Sequence, residues 1–327
     1  MAKRAVKYAV IDAFTDTPFK GNPAAVCHLD DEVAGAVDEE WMQTVAKEFN
    51  ISETAFLTRV ATTFGSDSNG VPTNPRFDLR WFTPVSEVEL CGHATLAAAH
   101  YLLTSGVVKC DVIEFVTKSG LLTAKKVQLP SKFSNNEADG RFYIELDFPM
   151  VPVVECDSTE IPSIPETLNG AAMVNVQKTA TANDLIVELA SGNEVAGIHP
   201  KFDELQNCAG GGVIITAAAP SQSGFDFFTR FFCPKLGIPE DPVTGSAHCA
   251  LAPYWSKKLG KHNLIAYMVG RSLFFFFFWS VYCVVISCML EQASPRGGIL
   301  DLQWEEETER VKIRGEAVTV MVGTLVV

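Results

Sequence analysis

RWFTP (80–84) followed by GHATLAAAHYL (92–102), and RFFCP (230–234) followed by GSAHCALAPYW (245–255), are two versions of one pattern. Each opens on R-x-F-x-P, with Arg80, Phe82 and Pro84 in the first and Arg230, Phe232 and Pro234 in the second. After a connector three residues longer in the second copy, Gly92 lies over Gly245, and Ala94, Ala97, Ala99 and Tyr101 lie over Ala247, Ala250, Ala252 and Tyr254. Ala-rich helices resemble one another by chance, but two blocks in the same order make duplication the better explanation. The aromatic segments FDLRWF and FDFFTRFF have strand propensity; the Ala-packed segments have helix propensity and side chains small enough to be packed on every side. Each copy reads as a strand, a proline loop, a glycine turn and a helix central in its lobe.

Around the two copies the chain is mostly short strands: Tyr8 to Phe14, Thr54 to Val60, Val112 to Thr117, Phe142 to Phe148, Gly212 to Ala217, Arg310 to Arg314 and Val318 to Val327. Glu39 to Phe49 is amphipathic at helical period, with Trp41, Met42, Val45, Ala46 and Phe49 on one face. The class is α+β, a mixed β-sheet wrapped around a central α-helix, twice. A length of 327 residues, about twice a typical domain, accommodates two such lobes. The expected division is 1–126 plus 316–327 for the first lobe and 127–315 for the second, with crossings near the polar Lys125 to Asp139 and near Gly315.

A net charge of −13 argues against nucleic acid or an anionic membrane surface as partner. Nine cysteines without a CxxC pair, and an N-terminus lacking an apolar run before a cleavage site, lead us to expect reduced thiols and a cytoplasmic protein. Six His without ligand spacing give no reason to expect a metal. No nucleotide-binding motif is present, and the glycines at 210–212 precede a strand and read as a turn.

A helix N-terminus offers unpaired N–H groups and a partial positive charge, so Gly92/His93 and Gly245/Ser246, facing one cleft, would cradle the carboxylate of a small anionic metabolite. Glu53, in NISETAFL, opens a strand from which a carboxylate can project into that cleft; capping or solvation of a loop is its bland alternative. His93 and Asp241 stand at the two helix-start loops, where N-cap and turn-forming roles compete with catalysis, and Ser246 could simply satisfy its helix. Together, two carboxylates, an imidazole and a hydroxyl suggest proton transfer. A two-thiol racemase is disfavoured, because the counterpart of Cys91 is Thr244; Cys91 reads better as a small buried hydrophobe.

VIDAFTDTPFKGNPAAV, NISETAFL, RWFTPVSEVELCGHATLAAAHYL, EDPVTGSAHCALAPYW and SPRGG with VKIRGEAVTVMVGTL resemble the phenazine-biosynthesis PhzF-like family, of diaminopimelate-epimerase fold, from about Tyr8 to Val327 with one interruption. The resemblance implies two pseudo-symmetric lobes with the active site between them, commonly a homodimer, and a cofactor-independent isomerase in which a glutamate moves a proton on a small cyclic or unsaturated acid. By motif, Glu53 matches the acid/base, His93 the GHAT histidine, Asp241 and Ser246 the polar pair of DPVTGSA, and Gly92 and Gly245 the backbone cradle. No substrate is carried over. A catalytically idle member that binds small acids or serves as a scaffold is the alternative, and the presence of all four polar residues favours the enzyme.

The interruption is Val269 to Gln292, 24 residues that the resembling sequences lack. Within it, Ser272 to Leu290 is uncharged and contains five consecutive Phe, long enough to span a membrane. A span there would put parts of one lobe on opposite sides of a bilayer. An apolar hairpin packed on the lobe is a second reading. The favoured one is a retained intron: Val is encoded by GTN, Phe by TTT or TTC and Gln by CAG, which is the grammar of an intron's start, pyrimidine tract and end. If translated, such a run is an aggregation hazard unless buried.

Overall fold

Gly298–Glu305 and Arg310–Gly315 alternate buried and half-exposed residues along their whole length, the period of strands with one face on a core. They belong to a computed structural model that describes residues 5–60, 74–128, 141–269 and 296–326. In chain order its first half has β1 (Ala5–Ala13), β2 (Asn22–Leu29), α1 (Asp31–Ala34), α2 (Glu39–Phe49), β3 (Glu53–Arg59), β4 (Arg76–Phe82), β5 (Glu87–Val88), α3 (Gly92–Thr104), β6 (Val112–Thr117), β7 (Gly120–Val127) and β8 (Tyr143–Pro149). The second half has β9 (Val153–Glu155), α4 (Pro165–Leu168), β10 (Met173–Thr179), β11 (Leu185–Leu189), α5 (Gly192–Ala196), α6 (Phe202–Asn207), β12 (Val213–Ala218), β13 (Phe227–Cys233) and β14 (Ile238–Asp241). It continues with α7 (Gly245–Leu259), β15 (Asn263–Met268), β16 (Gly298–Glu305) and β17 (Arg310–Gly315), and the chain returns with β18 (Ala317–Val326) beside β1.

The duplication is written in the strand pairing. From β18 through β1, β2, β3, β4, β6 and β7 to β8, successive pairs are antiparallel, antiparallel, parallel, antiparallel, parallel, antiparallel and antiparallel. From β9 through β10, β11, β12, β13, β15 and β16 to β17, the series is the same. An antiparallel pair, β8 with β17, joins the two. Each half curls around its own helix, as the fold class anticipates. In α3 the residues from Gly92 to Ala99 are all buried, and in α7 those from Ala247 to Ser256 are. Helices apolar on every side are found enclosed, and these two lie inside one continuous core. By contrast α2 is amphipathic: it buries Met42 and Ala46 on the outside of β3 and β4, capped by Asp38 at its start and by left-handed Asn50 at its end.

The R-x-F repeat has a physical reason. Residues i and i+2 of a strand share a face, so Arg80 lies over the Phe82 ring at 5.1 Å and Arg230 over Phe232 at the same distance. Each guanidinium is also gripped by a carboxylate from the next short strand, Arg80 by Glu87 and Arg230 by Glu240, through paired hydrogen bonds of 2.7–2.9 Å. The longer connector of the second copy contains a 3-10 turn at Pro234–Leu236, ahead of Glu240.

Most of the polar connector 125–139 lies outside the described residues, but Lys125 to Val127 still belong to β7 and pair with β8. Residues 272–290 also lie outside them. Their described flanks are close: Met268 of β15 stands opposite Gly298 of β16. Among the described residues, no helix is long and apolar enough to cross a membrane.

Candidate active site

The two central helices meet end to end at their first residues. A Cβ on Gly92 would lie 2.7 Å from Gly245 Cα, and one on Gly245 would lie 2.8 Å from Gly92 Cα. Neither glycine has a positive φ, so close approach, not backbone freedom, demands them. The N-cap residues Cys91 and Thr244 supply no side-chain cap, and neither helix has an acidic residue in its first turn. Asp30, Asp38 and Ser191 do cap α1, α2 and α5. Two uncapped helix starts therefore converge, both with a partial positive charge suited to an anion.

Around this contact the structure gathers Glu53, His93, Asp241 and Ser246. Glu53 is the first residue of β3, paired with Ala24 of β2, and is 8% exposed. Its Oε2 lies 3.0 Å from Nε2 of His93, the second residue of α3. The distance is that of a hydrogen bond, but the angles are not, and both atoms are buried without a hydrogen-bond partner among the described residues. On the other side of the imidazole, Nδ1 lies 3.4 Å from Cys91 Sγ. Asp241, 5% exposed at the end of β14, accepts a hydrogen bond from Asn22 Nδ2 at 2.6 Å and another from the Thr244 hydroxyl. Ser246 is the second residue of α7, the place His93 holds in α3, and is partly exposed.

The acid is present in one half alone. Thr54 pairs with Phe82 and Val213 with Phe232, so Gly212 stands where Glu53 does. A Cβ at Gly212 would meet the Phe231 ring at 2.5 Å. The helix starts remain equivalent in another respect: Thr95 donates from its hydroxyl to the Cys91 carbonyl at 2.5 Å, and His248, its counterpart, contacts the Thr244 carbonyl through Nδ1 at 2.7 Å. Burial holds His248 down at about 4, a neutral structural imidazole.

Burial pushes Asp241 above the usual carboxylate range, aided by Glu53 and opposed by His93 and by the hydrogen bonds from Thr244 and Asn22. Burial works against a charged His93, yet its neighbours outweigh it and lift the imidazole above its ordinary range. The Cys91 thiol is itself pushed up to about 11 by burial and is uncharged at neutral pH, so the carboxylates, Glu53 at 3.0 Å foremost, are the neighbours whose charge can favour imidazolium. Glu53, Cys91 and His93 are close enough to be considered as metal ligands. The imidazole stands between the other two with one ring nitrogen toward each, so neither nitrogen faces both neighbours, an arrangement poorly suited to convergence on one ion. A hollow lined by Glu160, Asp203 and Glu204 lies elsewhere and contains none of Glu53, His93, Asp241 and Ser246.

Two expectations follow for Cys91. Iodoacetamide at neutral pH leaves it unmodified in the folded protein, and Cys91→Ser keeps at least about a tenth of any activity, because a buried thiol that stays protonated is a poor base and nucleophile. A hundredfold loss in Cys91→Ser would reinstate the thiol as a reacting group. Sequence reading missed Asn22, which sits in GNPAAV without periodicity or charge to mark it, and whose partners lie 219 and 221 positions away.

Comparison with known proteins agrees with this architecture. The family model described as phenazine biosynthesis-like protein matches residues 11–323. An uncharacterized isomerase of Halalkalibacterium halodurans is 38% identical over 313 residues, covering 95% of each chain. A crystal structure of a PhzF-family phenazine biosynthesis protein from Enterococcus faecalis superposes with a TM-score of 0.72 at 34% identity, covering 98% of this chain and 99% of that one. More distantly, a hydroxyproline epimerase from Agrobacterium vitis, 12% identical with a TM-score of 0.53 over 99% of this chain and 93% of that one, shares the fold.

Proposed function

The chain belongs to the phenazine biosynthesis-like, PhzF family, and from that premise we propose that it is a cofactor-independent isomerase moving a proton within a small cyclic or unsaturated carboxylic acid. Relatives of this family bear isomerase names. One observation carries the reading for this chain: a buried carboxylate oxygen of Glu53 without a hydrogen-bond partner among the described residues, beside two uncapped helix starts. The substrate carboxylate would accept N–H groups from the first turns of α3 and α7, with Ser246 beside it. Glu53 would take a proton from carbon as the C–H electron pair moves into the acid's π system, exchange it with solvent, and deliver a proton at another carbon, so no atom or electron is gained or lost. His93 steadies the charge on Glu53, and Asp241, held by its own donors, would accept a hydrogen bond from a second polar group of the substrate.

Incubating the protein with a panel of small cyclic and unsaturated acids in D2O tests this. Thermal stabilisation by one of them together with deuterium in that acid is the expected result. Stabilisation without deuterium would favour the catalytically idle binder.

We also propose that residues 269–292 are absent from the working protein, a cytoplasmic homodimer acting on a small anionic metabolite. Met268 and Gly298 face one another in the β15–β16 register, roughly 5 Å apart as strand neighbours are. Without 269–292, the five residues 293–297 would bridge them, a length typical of a hairpin loop. A chain lacking 269–292 is expected to be more soluble than the full chain and to sediment at twice the monomer mass. Sequencing the transcript across Tyr267 to Pro295 decides the origin: an abundant message encoding all 24 residues overturns the intron reading.

A further inference from the structure

We propose that Asn22 is a positioning residue that fixes Asp241, in one half, against the loop bearing Glu53 in the other. For its catalytic consequence this rests on the function proposed above; the contact itself does not.

Asn22 is the first residue of β2 and is wholly buried. Its carboxamide donates to Asp241 Oδ1 at 2.6 Å and to the Val243 carbonyl at 2.9 Å, both in the second half. Both partners are acceptors, so the amide nitrogen must face them and the oxygen must turn away. That oxygen accepts from Ser52 Oγ at 2.7 Å, one residue before Glu53. A single side chain thus ties the loop before one acid to the strand that ends in the other.

Neighbouring backbone is arranged to deliver it. Gly21, with φ 62°, turns the chain into β2 where any Cβ would strike the Ala13 carbonyl at 2.1 Å. Arg296, from beyond β15, donates to the Gly21 carbonyl at 2.9 Å and pairs with buried Asp12. With Thr244 donating to its other oxygen, the Asp241 carboxylate is held by donors on both sides. Glu53 Oε2 has no such donor among the described residues. The two acids are therefore unlike in kind, one clamped and one open to exchange a proton.

The test is a thermal-unfolding cycle of Asn22→Asp and Asp241→Asn, singly and together, at pH 7.5 and 5.5. Asn22→Asp sets two acceptors 2.6 Å apart, which must share a proton or repel. The pair's pKa is raised by folding, so its stability is kept below that pKa and lost as pH rises through it. We expect Asn22→Asp to lower Tm by about 5 °C or more at pH 7.5 and by less at pH 5.5. Combined with Asp241→Asn it should cost clearly less than the sum of the two single losses, because the carboxylate introduced at position 22 can then accept from the amide introduced at position 241, while the Val243 carbonyl stays without its donor. With Asp241 retained, kcat for proton exchange in Asn22→Asp should fall with KM nearly unchanged and recover toward acid pH. Additive losses at both pH values, or failure of Asn22→Asp to fold both alone and with Asp241→Asn, would overturn the proposal. Should even the wild type exchange no proton with any acid, the proposed function falls, while the Tm cycle still decides the Asn22–Asp241 contact.

Discussion

Gly92→Ala is expected to lower Tm by about 4 °C, a loss on the order of 3 kcal/mol, and to abolish activity in whatever protein still folds. Alanine is the better helix former by about 1 kcal/mol, so intrinsic propensity predicts the opposite sign. The collision wins because of what the new methyl would meet. It would lie 2.7 Å from Gly245 Cα, 3.0 Å from Gly245 C and 3.2 Å from Ser246 N, all backbone of a buried helix that no rotamer change can move. To relieve it, one whole helix must withdraw, and each is enclosed by its own sheet. Withdrawal would part the N–H groups proposed to hold the substrate carboxylate, so activity should fall further than stability. Gly35→Ala is the control: a methyl there meets nothing within 4 Å. Calorimetry of both variants checks the expectation, and a Gly92→Ala protein as stable and active as the control would show that the helix starts are not in contact.

The same contact explains why so much of this molecule was legible in sequence. Gly, Ala and Tyr recur at matched places because two central helices obey one packing requirement, and Arg and Phe recur at i and i+2 because each pair stacks on one strand face. The helix at Glu39–Phe49 and the strand at Val112–Thr117 are found where their periodicity puts them, and the other strands foreseen lie within a few residues of their expected ends. Among the strands that escaped, β2, NPAAVCHL, is buried on both faces and β10, MVNVQKT, on neither for most of its length, so neither alternates, whereas β16, GILDLQWE, alternates throughout and was passed over beside the apolar run. Pairing over long separations escaped for a different reason. Nothing local in Asn22 announces Asp241, or in Gly212 announces that it occupies the place of Glu53. Duplication gave the halves equal scaffolds; the proposed chemistry rests on where they differ, at Glu53 against Gly212, His93 against Ser246 and Asp241 against Val88.

From that asymmetry comes the second large expectation. Glu53→Gln should slow proton exchange into substrate by about 10²- to 10⁴-fold, the range a positioned acid–base group contributes, while leaving binding of the same acid within roughly twofold as read by ligand-induced stabilisation. The substitution keeps the shape of the side chain and removes its capacity to cycle a proton. The second half cannot substitute, since a glycine stands at the equivalent strand position under the Phe231 ring. Asp241 cannot readily do so either, with a donor on each oxygen. The imidazole supplies an independent readout. His93 has its pKa raised in the folded protein, Glu53 being among the causes, so its contribution to stability is complete below the ordinary imidazole range and is lost as pH rises through the folded value. Removing the Glu53 charge should therefore cost most stability at mildly acid pH, where imidazolium and carboxylate coexist, and the gap in Tm between wild type and Glu53→Gln should close as pH rises. Equal deuterium incorporation by wild type and Glu53→Gln would take Glu53 out of the proton path, even if the Tm gap followed the expected course.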